Sequence, residues 1–191
     1  MTTALVTDAG RTPGDRWAAR ADAVDRRVLR HVIAPVLDIG CGPARHTVAL
    51  AEAGLVAMGI DITPHAIAIA RTRGAAVLHR SVFDRVPGRG RWASALLLDG
   101  NIGIGGDPVE LLVRVRSLVA RSGRIIVELG RAPGDADPRL ARLVIDETTG
   151  PTFPWTEVDP HSIDRVAAGA GLGVTHRWRD DTRSFVVLEG V

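Results

Sequence analysis

The sequence predicts one α/β domain, a seven-stranded and mostly parallel sheet with helices on both faces and an antiparallel last strand. Three observations carry this. Val36-Leu37-Asp38-Ile39 is a short apolar run that enters a glycine turn, Gly40-Cys41-Gly42, and opens a helical pattern near Arg45. Downstream, short apolar strands alternate with segments of helical period. The final two strands, 173–178 and 184–188, follow one another with no helix between them.

Residues 1–14 are small and polar, with Gly10, Pro13 and Gly14, and read as a loose tail. Asp15 is placed to cap an amphipathic helix running to about Ile33. Trp17, Ala21, Val24, Val28 and Val32 share one face, and Arg16, Arg20, Asp22, Arg26, Arg27 and Arg30 fill the other. Such a helix either docks on the sheet or lies as a lid beside a ligand. Strands are expected at 35–39, 56–60, 76–79, 93–98 and 124–129. Thr63-Pro64, Asp107-Pro108 and Asp159-Pro160 each place a capping side chain before a proline, which starts a helix. Gly74, Gly123 and Gly171 fall near the expected ends. Residues 130–158 are irregular, with a hairpin expected from 142–147 and 152–158 around Gly150-Pro151. Residues 1–34 thus form a tail and helix preceding a domain at 35–191, with no boundary between two folded units.

Composition narrows the chemistry. The chain has 191 residues, enough for one domain with its own core. All 24 basic residues are arginine, so lysine Schiff bases and the lysine of a phosphate-binding P-loop are excluded. Tyrosine is absent too, which removes the phenol used by many short-chain reductases. The pI of about 9.8 reflects arginine rather than net charge, which is only +2. Arginines are scattered and aromatics make up only 4%, so a nucleic-acid partner is not expected. No apolar run is long enough for a membrane span, a secretory signal is not expected from the opening residues, and a lone cysteine excludes an internal disulfide. A cytoplasmic protein with no membrane partner is the simplest expectation, and no residue set is assigned to a metal.

The glycine turn points to a nucleoside-bearing cofactor. Asp61 ends the second strand 21 positions after Gly40, the spacing of an acid that accepts from two ribose hydroxyls. Ile62, beside it, is suited to pack on an adenine face. A dinucleotide fingerprint wants a third glycine where this chain has Arg45. Asp38, two residues before Gly40, either accepts from an ammonium group or holds the turn.

These residues resemble the class I S-adenosylmethionine-dependent methyltransferases, whose first motif is acid-x-G-x-G-x-G, with Ala44 here at the third glycine. The resemblance covers about residues 35–190. It implies a Rossmann-like sheet in the order 3-2-1-4-5-7-6 and S-adenosylmethionine as cofactor. Ser81-Val82-Phe83-Asp84 resembles the segment whose acid accepts from the adenine amine. Asp99-Gly100-Asn101, opening a turn with four glycines, resembles the fourth motif, beside the transferable methyl. The Asn/Asp-Pro-Pro-aromatic motif of many amine methyltransferases is missing, which disfavours a planar amine acceptor. Arg45 and His46, in the first turn after the loop, and Cys41, within it, complete the cofactor candidates, His46 facing either the cofactor carboxylate or the acceptor. On the acceptor side stand Glu128, Trp155 and His161, with His161 and Glu128 as candidate bases. The insertion at 130–158 then forms part of the acceptor pocket or is a surface excursion.

The expected function is in-line methyl transfer to a small-molecule acceptor. Two alternatives stay open: a nicotinamide-dependent oxidoreductase, and an S-adenosylmethionine-binding partner protein without catalysis.

Overall fold

The computed structural model describes residues 3–7, 10–13, 15–130, 139–145 and 148–191. Its frame is one seven-stranded sheet. In chain order the strands are β3 (Val36–Ile39), β4 (Ala57–Asp61), β5 (Val77–His79), β6 (Trp92–Leu97), β7 (Val119–Leu129), β10 (Leu172–Asp180) and β11 (Arg183–Gly190). They lie side by side as β5-β4-β3-β6-β7-β11-β10. That is the predicted 3-2-1-4-5-7-6 order, and β11 runs antiparallel to both neighbours as expected. The chain reverses at β3, so the ends of β3 and β6 diverge and leave a crevice at their carboxyl rim.

Both faces of the sheet are covered, which is why β3 is buried at every position. Leu37, Ile39, Leu97 and Val127 pack on one face with Leu111, Leu112 and Val115 of α5 (Pro108–Leu118) and Ile163 and Val166 of α6 (Ile163–Gly169). Val36, Leu96, Leu98 and Ile126 point the other way, against Leu50 of α3 (Arg45–Glu52) and Val28 of α2 (Ala23–Val28). Alternate residues of one strand thus feed two cores. Helix α4 (Pro64–Thr72) adds Ile67 and Ala70 to a smaller cluster with Cys41 and Ala44 beneath the glycine loop.

The expected helix from Asp15 to Ile33 is broken. Asp15–Ala18 forms α1, and α2 starts afresh at Ala23. Asp22 caps α2 with a reciprocal capping box: its side chain accepts from the Asp25 N–H, and Asp25 accepts from the Asp22 N–H. That local pairing interrupts a helix which side-chain periodicity alone would have continued.

The described residues before Asp15 are not simply a tail. Thr3–Thr7 (β1) and Gly10–Pro13 (β2) pair as antiparallel strands, and β1 also pairs with β8 (Arg139–Ile145). With β9 (Thr148–Trp155) these build a second sheet in the order β2-β1-β8-β9. The hairpin predicted in the insertion is present, but it turns earlier, since Ile145 pairs with Thr148. Pro151 and Pro154 sit inside β9 instead, tolerated because β9 is an edge strand. Two helix signals are also corrected. Gly123 lies within β7, not at a helix end, because α5 stops at Leu118. Asp159 accepts from the His161 and Ser162 N–H groups, and α6 begins only at Ile163.

Candidate active site

The glycine loop is held open from three sides. Gly40 and Gly42 have φ of +68° and +53°, which glycine adopts without steric cost. Gly40 and Cys41 donate their N–H groups to the Ile60 carbonyl, fixing the loop to the end of β4. Asn101, on the turn after β6, donates Nδ2 to the carbonyls of Ile39 and Gly40 at 2.9 and 3.0 Å. A Cβ at Gly40 would lie 2.7 Å from that nitrogen, so Asn101 is what excludes a side chain there. A Cβ at Gly42 would meet nothing within 4 Å. Space over bare backbone at Gly42 is the cradle a nucleoside cofactor requires, and the residues present therefore fit one.

Asp61 closes the other side of this cradle. Its Oδ2 accepts from the Gly42 N–H at 2.9 Å and its Oδ1 from the Thr63 N–H at 2.7 Å. Each carboxylate oxygen carries two lone pairs, so both retain acceptor capacity toward a ligand. Asp61, rather than the Thr63 side chain, satisfies the start of α4. Ile62, next to this acid, and Phe83, whose ring lies against Gly105, are exposed apolar side chains, 65% and 41% accessible. Val82 is buried, and its carbonyl accepts from Arg114 Nε. Asp84 is exposed at the same rim, its own carbonyl also held by Arg114.

Four of the sequence-predicted site residues are committed elsewhere. Asp38 is buried and accepts the Thr47 hydroxyl at 2.8 Å; of its two readings, the structure supports holding the turn. Burial pushes its carboxyl up. Cys41 is packed against Gly59, and burial pushes its thiol up, as for a small packing residue. Arg45 turns into the fold, pairing with Asp25 at 2.9 Å and with Asp99 at 2.7 Å. His46 is buried beside it, its Nε2 3.4 Å from Asp25 Oδ1 but outside hydrogen-bond geometry.

Glu128, a candidate base in the sequence, is corrected by its partners. Arg183 grips both its oxygens at 2.7 Å, and one of them also accepts the Asp99 N–H. A carboxylate so engaged, and 7% exposed, is held chiefly by the fold rather than presented to a substrate.

Together these side chains form one buried ionic cluster. Asp25, Asp99 and Glu128 face Arg45 and Arg183, and Arg16 reaches Asp99 from α1 at 2.8 Å. Burial by itself raises both aspartates, but their neighbours outweigh it. Asp25 is driven far below the usual carboxylate range by His46 and Arg45, and Asp99 is lowered to about 2 by Arg45, His46 and Arg16. The same acids hold both guanidinium groups more firmly charged against the opposing effect of burial. Asp99 pays for its place with φ of +56°, and Gly100 follows at +81°. Asp25, Arg183 and Arg16 were missed in the sequence. A signal existed for Asp25, which lies four residues after Ala21 and three before Val28, on the apolar face of its helix.

The second sheet roofs this rim. Trp155 forms a bridge to Ile104, and the Thr156 N–H and hydroxyl donate to the carbonyls of Gly103 and Gly106. A Cβ at Gly103 would fall 2.2 Å from the Thr156 carbonyl oxygen, so the turn's glycines admit the insertion as well as a ligand. His161 stands apart, 89% exposed, its Nδ1 3.6 Å from Asp159 Oδ2.

Comparison with known proteins agrees with this geometry. Residues 36–123, from β3 into β7, match the methyltransferase-domain family. That match agrees with the resemblance to class I S-adenosylmethionine-dependent methyltransferases read from the glycine loop. Magnesium-protoporphyrin O-methyltransferase of Rhodobacter capsulatus is 28% identical to it over 153 residues, 71% of this chain and 61% of that protein. This chain thus spans about three fifths of that relative's length. Among solved structures, an S-adenosylmethionine-dependent methyltransferase of Bacteroides fragilis, in complex with S-adenosylhomocysteine, matches with a TM-score of 0.82. It is 17% identical, and the match covers 100% of this chain and 88% of that one. The 1,6-didemethyltoxoflavin-N1-methyltransferase of Burkholderia thailandensis matches with a TM-score of 0.65 at 19% identity, covering 93% of this chain and 81% of that one. Both share the methyltransferase fold. No helix among the described residues is long and apolar enough to cross a membrane.

Proposed function

We propose that this protein transfers a methyl group from S-adenosylmethionine to a small-molecule acceptor by in-line displacement. The observation that carries the reading is the open cradle at Gly42 with the Asp61 carboxylate bonded to its N–H. S-adenosylmethionine supplies an electrophilic methyl on its sulfonium. Asp61 accepts the ribose hydroxyls, Ile62 and Phe83 cover the adenine faces, and Asp84 accepts the adenine amine, with Val82 fixing that segment. Gly40, Cys41 and Gly42 present backbone to the nucleoside. Gly100 and Asn101 border the methyl end, while Asp99, Arg45, His46 and Asp38 keep the loop in place from behind. His161, oriented by Asp159, takes the proton of a hydroxyl acceptor; an acceptor that is already nucleophilic needs no base.

A small acceptor is supported by two similar proteins, whose names specify a magnesium protoporphyrin and a didemethyltoxoflavin. Against a nicotinamide enzyme stand Arg45 at the third glycine position and the absence of tyrosine and lysine. The test has two arms. S-adenosylhomocysteine raises the melting temperature and NAD does not. Label from methyl-labelled S-adenosylmethionine passes into the small-molecule fraction of a cell extract. Stabilisation by NAD alone, or label confined to protein and nucleic acid, refutes the proposal.

A further inference from the structure

An open cleft of about 360 Å³ lies beside the rim, lined by Gly130, Asp159, His161, Arg179, Thr182 and Ser184, with Pro160 at its edge. That volume suits a small organic molecule. It opens at the end of β7, two residues beyond Glu128, whose carboxylate accepts the Asp99 N–H. Two residues span at most about 7 Å of chain, so the cleft adjoins the segment that borders the methyl end.

Among the described lining residues, the charged or titratable side chains are Asp159, His161 and Arg179. Asp159 is buried and turned inward, one oxygen accepting from the N–H groups of His161 and Ser162 and from the Ser162 hydroxyl. Arg183, just before Ser184, is neutralised by Glu128 and Asp25. Of the nearby acids, Asp180 pairs with Arg27 and Asp164 with Arg177, while Glu157 is exposed beside Gly130. The cationic side chain exposed on the lining is Arg179, whose Nε donates to the Asp181 carbonyl at 3.3 Å and whose terminal nitrogens lie beyond that contact. His161 is exposed, with Nδ1 3.6 Å from Asp159 Oδ2.

We propose that Arg179 is a specificity-determining residue that selects an acceptor carrying a carboxylate or phosphate group. A planar guanidinium pairs with either anion through two parallel hydrogen bonds. Anchored there, the acceptor presents its hydroxyl to His161. The inference rests on the methyltransferase reading.

The test uses the full chain and three probes: benzoate, its neutral counterpart benzamide, and inorganic phosphate. Binding is read from the His161 imidazole resonance, identified by its loss in His161→Gln. Benzoate or phosphate shifts it saturably while benzamide does not, and whichever anion binds names the acidic group. Arg179→Gln weakens that anion at least tenfold and Arg179→Lys restores part of the affinity. Both variants bind S-adenosylhomocysteine like the parent, since Arg179 is exposed and remote from the glycine loop. Equal binding of benzamide, no response to either anion, or unchanged anion affinity in Arg179→Gln overturns the proposal. Loss of S-adenosylhomocysteine binding by the parent protein refutes instead the methyltransferase reading beneath it.

Discussion

Replacing each loop glycine by alanine separates the stability of the loop from its ligand-binding role. At Gly42 the added methyl meets no atom within 4 Å, so only the left-handed backbone is costly. That conformation disfavours an L-residue by about 1–2 kcal/mol. Ala44, a non-glycine residue held at φ +65° in the same loop, shows that the fold bears such a cost. At Gly40 the same backbone cost applies, and the methyl lands 2.7–3.0 Å from three atoms of the Asn101 amide. Moving Asn101 breaks two hydrogen bonds, each worth about 1 kcal/mol. Gly40→Ala therefore costs about 3–4 kcal/mol in urea unfolding, and Gly42→Ala about half as much. Calorimetric affinity for S-adenosylhomocysteine ranks differently. The Gly42→Ala methyl enters the cradle and weakens binding at least tenfold in protein that is still folded. Parent-like affinity in Gly42→Ala, or equal stability losses at the two glycines, contradicts the loop geometry.

Other expectations follow from the same contacts. Asp61→Ala removes a charged acceptor of two ligand hydroxyls, each worth about 1.5–3 kcal/mol, so S-adenosylhomocysteine affinity falls 100-fold or more by calorimetry. Arg183→Met strands Glu128 and Asp25 in a buried site and costs about 3–5 kcal/mol by chemical denaturation, whereas Arg177→Met, which breaks an exposed pair, costs under about 1 kcal/mol. Asp25 and Asp99 are lowered in the folded state, so their stabilisation is present above the unfolded carboxylate value and is lost as pH falls through the folded one. For Asp99, lowered from 3.8 to about 2, this amounts to roughly 2 kcal/mol, seen as declining unfolding midpoints from about pH 5 downward and reduced in Asp99→Asn. His31 is depressed by burial, with His176 and Arg124 adding repulsion, so its protonation opposes folding. It contributes a separate fall in stability that begins below about pH 6.5 and disappears in His31→Gln.

The central sheet was legible because its elements are local and repetitive. A buried strand, a glycine turn and a helix are written within residues 36–47, and Asp61 comes at a fixed spacing beyond them. Asp107 was legible as a cap for the same reason, since it accepts from Val109 and Glu110 close by. The N-terminal hairpin was not, because a strand as short as Thr3–Thr7 is marginal alone and gains its place by pairing with Arg142–Ile145, far along the chain. The hairpin turn was misplaced because Gly150-Pro151 is a strong local turn signal, yet an edge strand accommodates both residues. Arg45, His46 and Glu128 lie near the site but point into an ionic cluster drawn from α1, α2, α3, β7 and β11. No local pattern records which charges from such distant segments will meet, and side-chain direction decides whether a residue holds a ligand or holds the fold.

The crystal structure of the complex with S-adenosylhomocysteine tests the central claim most directly. The account predicts both ribose hydroxyls within about 2.6–3.2 Å of the Asp61 carboxylate, the adenine between Ile62 and Phe83, and the sugar over the Gly42 backbone. A nucleoside bound elsewhere, or one whose ribose makes no contact with Asp61, contradicts it.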